Sequence, residues 1–244
     1  MAVIIELKNV SFSAQEGNII NNISVDFEMS KTTAIVGPAG CGKSTLLKLA
    51  AGLLVPERGD IFYKGKNITQ MSRSENLAFR REASFVFQDS ALWANQSLFQ
   101  ILELPLKLHF PDMGKKERAE RIVSVTSKVG YKKDLNIRPA GLSMGEQKLI
   151  AFARAMLCEP SVFFLDEWTE SVDEAAADRL INIVRNKQRE GASILFVTHD
   201  MRLIIDLADF IVVVDDGKVS AKASKDHIIT DLLLNDFFKI GIAS

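Results

Sequence analysis

Nine residues, GPAGCGKST at 37–45, restrict the possible folds of this chain more than any others. They follow the apolar run TTAIV (32–36) and open into the helical pattern KSTLLKLAAGLL. The spacing G-x-x-x-x-G-K-[ST] between a strand and a helix is that of a phosphate-binding loop. Glycines at 37, 40 and 42 let the backbone curl round an anion with no Cβ in the way. Exposed N–H groups and the positive end of the helix attract phosphate. The candidate nucleotide cradle is therefore Gly37, Pro38, Ala39, Gly40, Cys41 and Gly42, with Lys43, Ser44 and Thr45 at the helix start. Lys43 has the reach for β- and γ-phosphates, and Ser44 can offer its hydroxyl to Mg²⁺. A Gly-rich turn with a chance lysine is the plain alternative, and the strand-loop-helix setting speaks against it. The loop signals a nucleoside triphosphate without choosing between a kinase, a GTPase, a helicase and a transport ATPase. Cys41 lies near a helix N-terminus, where thiol pKa values fall. The sequence thus predicts a thiol that alkylates readily and that MgATP protects.

The rest of the chain reads as an α/β sheet domain interrupted by helices. VIIELKNVSF (3–12), ISVDFEM (23–29) and ASFVF (83–87) read as strands, and GDIFYKGKNI (59–68) as a short hairpin. VFFL (162–165), SILFVT (193–198) and FIVVV (210–214) are near-continuous apolar runs, as parallel strands covered on both faces require. VDEAAADRLINIVRNKQREG (172–191) is a helical pattern stopped by Gly191. From about 97 to 157 the patterns are almost all helical, and from roughly 222 to 244 weak helical signals follow.

With 244 residues, the chain has room for one large domain or one domain with a sizeable insertion. A net charge of −1 provides no basic field for nucleic acid. Two cysteines provide no disulfide framework and suit a reducing compartment. The start MAVIIELKNV does not read as a signal peptide. No apolar stretch approaches the ~18 residues of a membrane span. The expectation is a soluble cytoplasmic chain whose membrane association, if any, comes through a partner.

VFFLDE (162–167) places Asp166 and Glu167 at the end of a buried strand. In a phosphate-loop protein an Asp there holds Mg²⁺, and the adjacent Glu activates the attacking water. Phosphoryl transfer needs mainly positioning and charge neutralisation, which Lys43, Ser44, Asp166 and Glu167 supply in part. No arginine finger is visible. LSMGE (142–146) precedes the helical run QKLIAFARAML, and Ser143 and Glu146 have the S-x-x-E spacing of a capping box.

In this order the motifs resemble the ATP-binding cassette ATPases over nearly the whole chain. GPAGCGKST matches the Walker A loop and VFFLDE Walker B. Gln88 in FVFQD matches the Q-loop, LSMGE the signature, SVD (171–173) the D-loop, and His199 in FVTHD the switch histidine. Phe12 is placed at the aromatic A-loop position. The resemblance implies a P-loop NTPase (RecA-like) α/β core with an antiparallel β subdomain and an inserted helical subdomain. Its core would span 1–88 and 159–244, and its helical part 89–158. It implies ATP and Mg²⁺ as cofactors and hydrolysis by a head-to-tail dimer. Phe12 would stack on adenine. Gln88 would contact Mg²⁺ or the attacking water, beside Ser44 and Asp166 as metal ligands. His199 would hydrogen-bond the γ-phosphate. Ser143, Gly145 and Glu146 of one copy would face the nucleotide of the other, and Asp173 would act across the interface.

Two departures stand out. Met144 occupies the signature's first glycine position and Glu146 that of a glutamine. Glu146 brings negative charge near an anion unless it turns back to cap its helix. WTESVD replaces a PTSALD-like run, putting Trp168 and Glu170 beside the expected dimer interface. The stretch after Gln88, FQDSALWANQSLFQILELPLKLH (87–109), is similar to bacterial lipid-trafficking ATPases that work with MCE-domain proteins, and other importers and lipoprotein-release ATPases have related stretches. The partners implied are a second copy and membrane permease subunits, with no nucleic acid, and the place implied is the inner face of the cell membrane. The alternative is a soluble assembly factor of the iron–sulfur biogenesis type. A DNA-repair or ribosome-linked protein is disfavoured by the single cassette, the lack of a long coiled-coil insertion and the near-neutral charge.

Overall fold

The computed structural model describes residues 2–14 and 17–227. Its first half runs β1 (Val3–Ala14), β2 (Gly17–Glu28), β3 (Thr32–Val36), α1 (Lys43–Ala50), β4 (Arg58–Tyr63), β5 (Lys66–Asn67), α2 (Arg73–Glu82) and β6 (Ala83–Val86). Three helices follow without an intervening strand: α3 (Leu98–His109), α4 (Lys115–Val129) and α5 (Met144–Met156). The chain then returns to β7 (Val162–Asp166), α6 (Glu174–Arg189), β8 (Ser193–Val197), α7 (Met201–Leu207), β9 (Phe210–Asp215) and β10 (Lys218–Ser224).

Side-chain parity along the apolar strands decides how these elements stack. β3, β7 and β8 are buried at every position, so each must cover both faces. Ala34, Val36, Phe163, Leu165, Ile194 and Phe196 point into one core, shared with α3, α4, α5 and α6. Ile35, Val162, Phe164, Leu195 and Val197 alternate into a second core, shared with α1 and the antiparallel sheet. The larger sheet has the order β10-β9-β3-β8-β7-β6, parallel except for the β10 edge. The smaller sheet, β2-β1-β4-β5, is antiparallel and closes the second core with Ile5, Leu7, Ile20 and Phe27.

The α/β class and its three parts agree with the sequence reading, with local differences. Residues 222–224 belong to strand β10 and are not helical, because Lys222, Ala223 and Ser224 pair with Val212, Ile211 and Phe210. Residues 225–227 are helical as read, and 228–244 lie outside the described residues. Helices α2 and α7 are short, at ten and seven residues, and the sequence pattern did not mark them. The 193–198 and 83–87 runs each end one residue earlier as strands, which frees Thr198 and Phe87 for loops. No helix among the described residues is long and apolar enough to cross a membrane.

Candidate functional site

Register brings the chemistry together. Ile35 and Asp166 both pair with Val197, and Val86 pairs with Leu165. The carboxyl ends of β3, β8, β7 and β6 therefore lie along one sheet edge, where ligands of parallel α/β sheets bind. The loops leaving them carry Gly37–Gly42, His199, Glu167 and Gln88.

The phosphate loop has glycine where no other residue fits. Gly37 has φ 150°, and a Cβ there would lie 2.0 Å from the Val214 carbonyl oxygen. Gly42, with φ 103°, leads directly into α1. Lys43 is buried, and its Nζ donates to the carbonyl oxygens of Gly37 (2.9 Å) and Pro38 (2.7 Å). A cleft of about 800 Å³ opens over the loop, lined by Gly40, Lys43, Ser44, Gln88, Glu167 and His199 among others. That volume and its row of backbone N–H groups at a helix start suit a nucleoside triphosphate.

The acidic pair divides into two roles. Asp166 is buried and accepts a 2.8 Å hydrogen bond from the Ser44 hydroxyl, while burial pushes its carboxyl up. Glu167 follows in the left-handed region, φ 43°, uncommon for a glutamate and costly unless its surroundings hold it. Burial, then the charges of Glu170 and Asp166, push its carboxyl up to about 7. Its buried Oε1 has no hydrogen-bond partner among the described residues, although His199 Nε2 stands 3.2 Å away. Burial and the Lys43 charge hold the His199 imidazole below its usual range, so it is neutral near pH 7. A buried carboxylate with an unmet acceptor, poised near neutrality beside a phosphate loop, has the properties of a general base for water. Mg²⁺ fits the donor set: it binds through one or two carboxylates plus phosphates, and the Ser44 hydroxyl already sits against Asp166.

Gln88 lies at the cleft and also in a smaller pocket with Lys148, Met144 and Glu170. Its Nε2 donates to Glu170 Oε2 at 3.3 Å. Ser143, Gly145, Glu146 and Asp173 are not among the residues lining the cleft of their own chain. Ser143 caps α5 in a full capping box with Glu146, whose carboxylate also meets Lys133 Nζ at 2.5 Å. The added negative charge is thus turned back onto the helix and neutralised there. Met144 beside it is 71% exposed. Asp173 caps α6, accepting from the Ala176 N–H at 2.8 Å.

Phe12, expected to stack on adenine, is not among the cleft-lining residues. It is half-buried against the core of the antiparallel sheet, and Ala14 and Ile19 of the β1–β2 hairpin line the cleft instead. The β1–β2 register shifts on both sides of Phe12, between Val10 and Phe12 and between Phe12 and Ser13, and such bulges re-aim a side chain. Cys41 is buried, and burial raises its thiol more than Lys43 lowers it, so it is not an activated thiol. Trp168 is fully buried, with its ring 5.8 Å from that of Phe152 in α5. The sequence reading also passed over Ala14, Asn18, Ile19 and Lys148. A hairpin tip without an aromatic residue offered no chemical signal, and Lys148 is defined only by what it meets across the fold.

A phosphate loop after β3 and an acidic pair at the end of β7, on either side of β8 in a parallel sheet, define a P-loop nucleotide-binding domain. The chain belongs to the ABC transporter family, whose family model matches residues 20–170. It is 33% identical over 210 residues to the nickel import ATP-binding protein NikE of Shigella flexneri serotype 5b (strain 8401), covering 84% of this chain and 78% of that protein. It is 29% identical over 232 residues to the methionine import ATP-binding protein MetN of Mannheimia succiniciproducens, covering 93% of this chain and 67% of that protein. Among solved structures it is similar to the ATP-binding cassette MJ0796 in a dimeric post-hydrolysis state bound to ADP and Pi. The TM-score is 0.83 and the identity 25%, over 91% of this chain and 99% of that one. The chain is accordingly an ABC-type ATPase, as the order of its motifs implied.

Proposed function

We propose that this chain hydrolyses ATP with Mg²⁺ as one half of a head-to-tail dimer that powers a membrane permease. One observation carries the dimer: α5 presents a capped N-terminus with Met144 exposed, yet its Ser143 and Gly145 are absent from the cleft of their own chain. A helix N-terminus has unpaired N–H groups and partial positive charge, which a γ-phosphate accepts well. The second copy would supply in trans the stabilising group that no arginine here provides.

Within one site, Lys43 leaves its loop carbonyls for the β- and γ-phosphates, and Glu167 takes a proton from the attacking water. Gln88 orients that water, and His199 donates to the γ-phosphate. Mg²⁺, when bound by Ser44 and Asp166, supplies charge neutralisation at the phosphates. Residues 1–88 and 159–244 form the catalytic core in this reading, and 89–158 the helical part that meets the permease. The cell-membrane inner face follows from that partner. A lipid cargo rests on the 87–109 stretch alone, and the relatives above are named for nickel and methionine.

The test is the Glu167→Gln variant with MgATP, followed by light scattering. ATP-dependent dimers support the reading, and persistent monomer at saturating MgATP opposes it. Affinity purification from native membranes tests the permease. A stable complex with soluble assembly proteins and no multispanning partner would favour the assembly-factor reading.

A further inference from the structure

Gln88 is held from two sides by residues to which the hydrolytic scheme gives no part. Its side-chain Nε2 donates to Glu170 Oε2 at 3.3 Å. Only an N–H can face an ionised carboxylate, so this bond decides which end of the amide points elsewhere. It leaves Oε1, the end able to accept from a water or to ligate a cation, on the side away from Glu170. The main chain is held separately. Lys148 of α5, 3% exposed, donates its Nζ to the carbonyl oxygens of Phe87 (3.3 Å) and Gln88 (2.5 Å). Six residues further along α5, Arg154 donates to the carbonyls of Ser90 (3.0 Å) and Ala91 (2.7 Å), both at residues with positive φ. Four carbonyls of one loop are thus gripped by two cations from the helix that begins at Ser143.

We propose that Glu170 and Lys148 are positioning residues for Gln88: Glu170 sets the orientation of its amide, and Lys148 ties its backbone to α5, so that movement of α5 moves Gln88. This rests on the reading of the cleft as a site of ATP hydrolysis. A buried lysine is costly to desolvate, and here its N–H donors face the loop's carbonyls, so cutting the link leaves those carbonyls unmet. α5 also starts the segment proposed to face the other copy's nucleotide. Engagement of that copy would therefore reach Gln88 through one rigid helix, with no change needed in the sheet.

The experiment is a double-mutant cycle between Gln88→Ala and Glu170→Ala, read by phosphate release and by fluorescent ATP-analogue titration. Glu170→Ala is expected to lower kcat about five-fold with the dissociation constant changed less than about two-fold. Read above about pH 8, where the charge of Glu170 no longer changes the ionisation of Glu167, it should add almost nothing in the Gln88→Ala background. Glu170→Gln, which keeps an acceptor for the amide, should restore most of the rate. Lys148→Met should also lose its effect in the Gln88→Ala background. Additive losses, or a Glu170→Ala effect that persists without Gln88, would overturn the proposal. A second readout stands apart from turnover: the side-chain ¹⁵N amide resonance of Gln88 should shift on Glu170→Ala and return with Glu170→Gln. An unmoved resonance overturns the proposal even in a protein that turns over. If the wild type hydrolyses ATP no faster than Glu167→Gln, the hydrolytic reading fails, while the resonance still decides the amide orientation.

Discussion

Gly145 rests against the main-chain carbonyl of Ser171: a Cβ at position 145 would lie 2.7 Å from that oxygen. The first turn of α5 and the loop after β7 are therefore in backbone contact, and the second glycine of LSMGE is required by its own chain as well as by any partner. Gly145→Ala should push the two segments apart at a cost of about 1–3 kcal/mol in unfolding free energy. It should lower hydrolysis at least about ten-fold while leaving nucleotide affinity within about two-fold. Denaturant melts, phosphate release and analogue titration measure the three effects. Unchanged turnover would show that this contact does not position the signature.

Met144, exposed beside that contact, is expected to behave differently. Met144→Gly removes no core packing, and the helix start weakens by only about 0.5–1 kcal/mol. ATP binding to the monomer should be unchanged and steady-state turnover should change. Altered binding with unaltered turnover would assign the signature loop to the wrong step. Ser143→Ala, which deletes the cap, should cost about 1 kcal/mol and lower Tm by roughly 2–4 °C.

The Glu167 carboxyl, pushed up to about 7 by burial and by Glu170 and Asp166, should be visible in pH profiles. A general base works only when ionised, so kcat/KM should rise through about pH 7 and level off above it. Glu170→Gln removes one neighbouring negative charge and should move that midpoint to lower pH. The folded state binds this proton more tightly than the unfolded chain, whose carboxyl titrates near 4.5. Its contribution to stability is thus full below 4.5 and is lost as pH rises to about 7. A flat kcat/KM between pH 6 and 8 would remove Glu167 from the role of base.

Trp168 has a buried Nε1 with no hydrogen-bond partner among the described residues and lies against Phe152. Trp168→Ala should cost about 3–5 kcal/mol through the cavity it leaves. Trp168→Phe keeps an aromatic ring and removes the unmet N–H, so its cost should be near ~1 kcal/mol. Urea unfolding distinguishes the two. An Ala variant as stable as the wild type would contradict full burial.

The hairpin tip, with Ala14 and Ile19 at the cleft, has no aromatic ring among its residues 13–19. Ala14→Tyr should tighten ATP binding by about two- to ten-fold if a ring there can stack, since such contacts contribute ~0.5–1.5 kcal/mol. Phe12→Leu should lower stability slightly and leave affinity unchanged. Loss of affinity in Phe12→Leu would return the base-stacking role to Phe12.

Much of this site was legible in sequence because its residues are bound by local rules. GPAGCGKST needs its glycines for backbone dihedrals, VFFLDE needs an apolar run that ends in carboxylates, and Ser143 with Glu146 needs only the first turn of a helix. Each of these is decided within about ten residues of chain, and the apolar runs 162–165 and 193–198 announced their double burial in the same way. What lay beyond reach was decided across the fold. Phe12 or Ala14 at the cleft depends on a bulged register between β1 and β2. Whether Cys41 is activated depends on burial outweighing a nearby lysine. The full burial of Trp168 depends on α5, whose Phe152 packs against its ring. Glu170 against Gln88, 82 residues apart, exists only because β6 and β7 pair side by side. Dihedral preference and local hydrogen bonding act through neighbouring residues and are written in order along the chain. Burial, charge proximity and amide orientation act through space, and only the packed sheets and helices determine them.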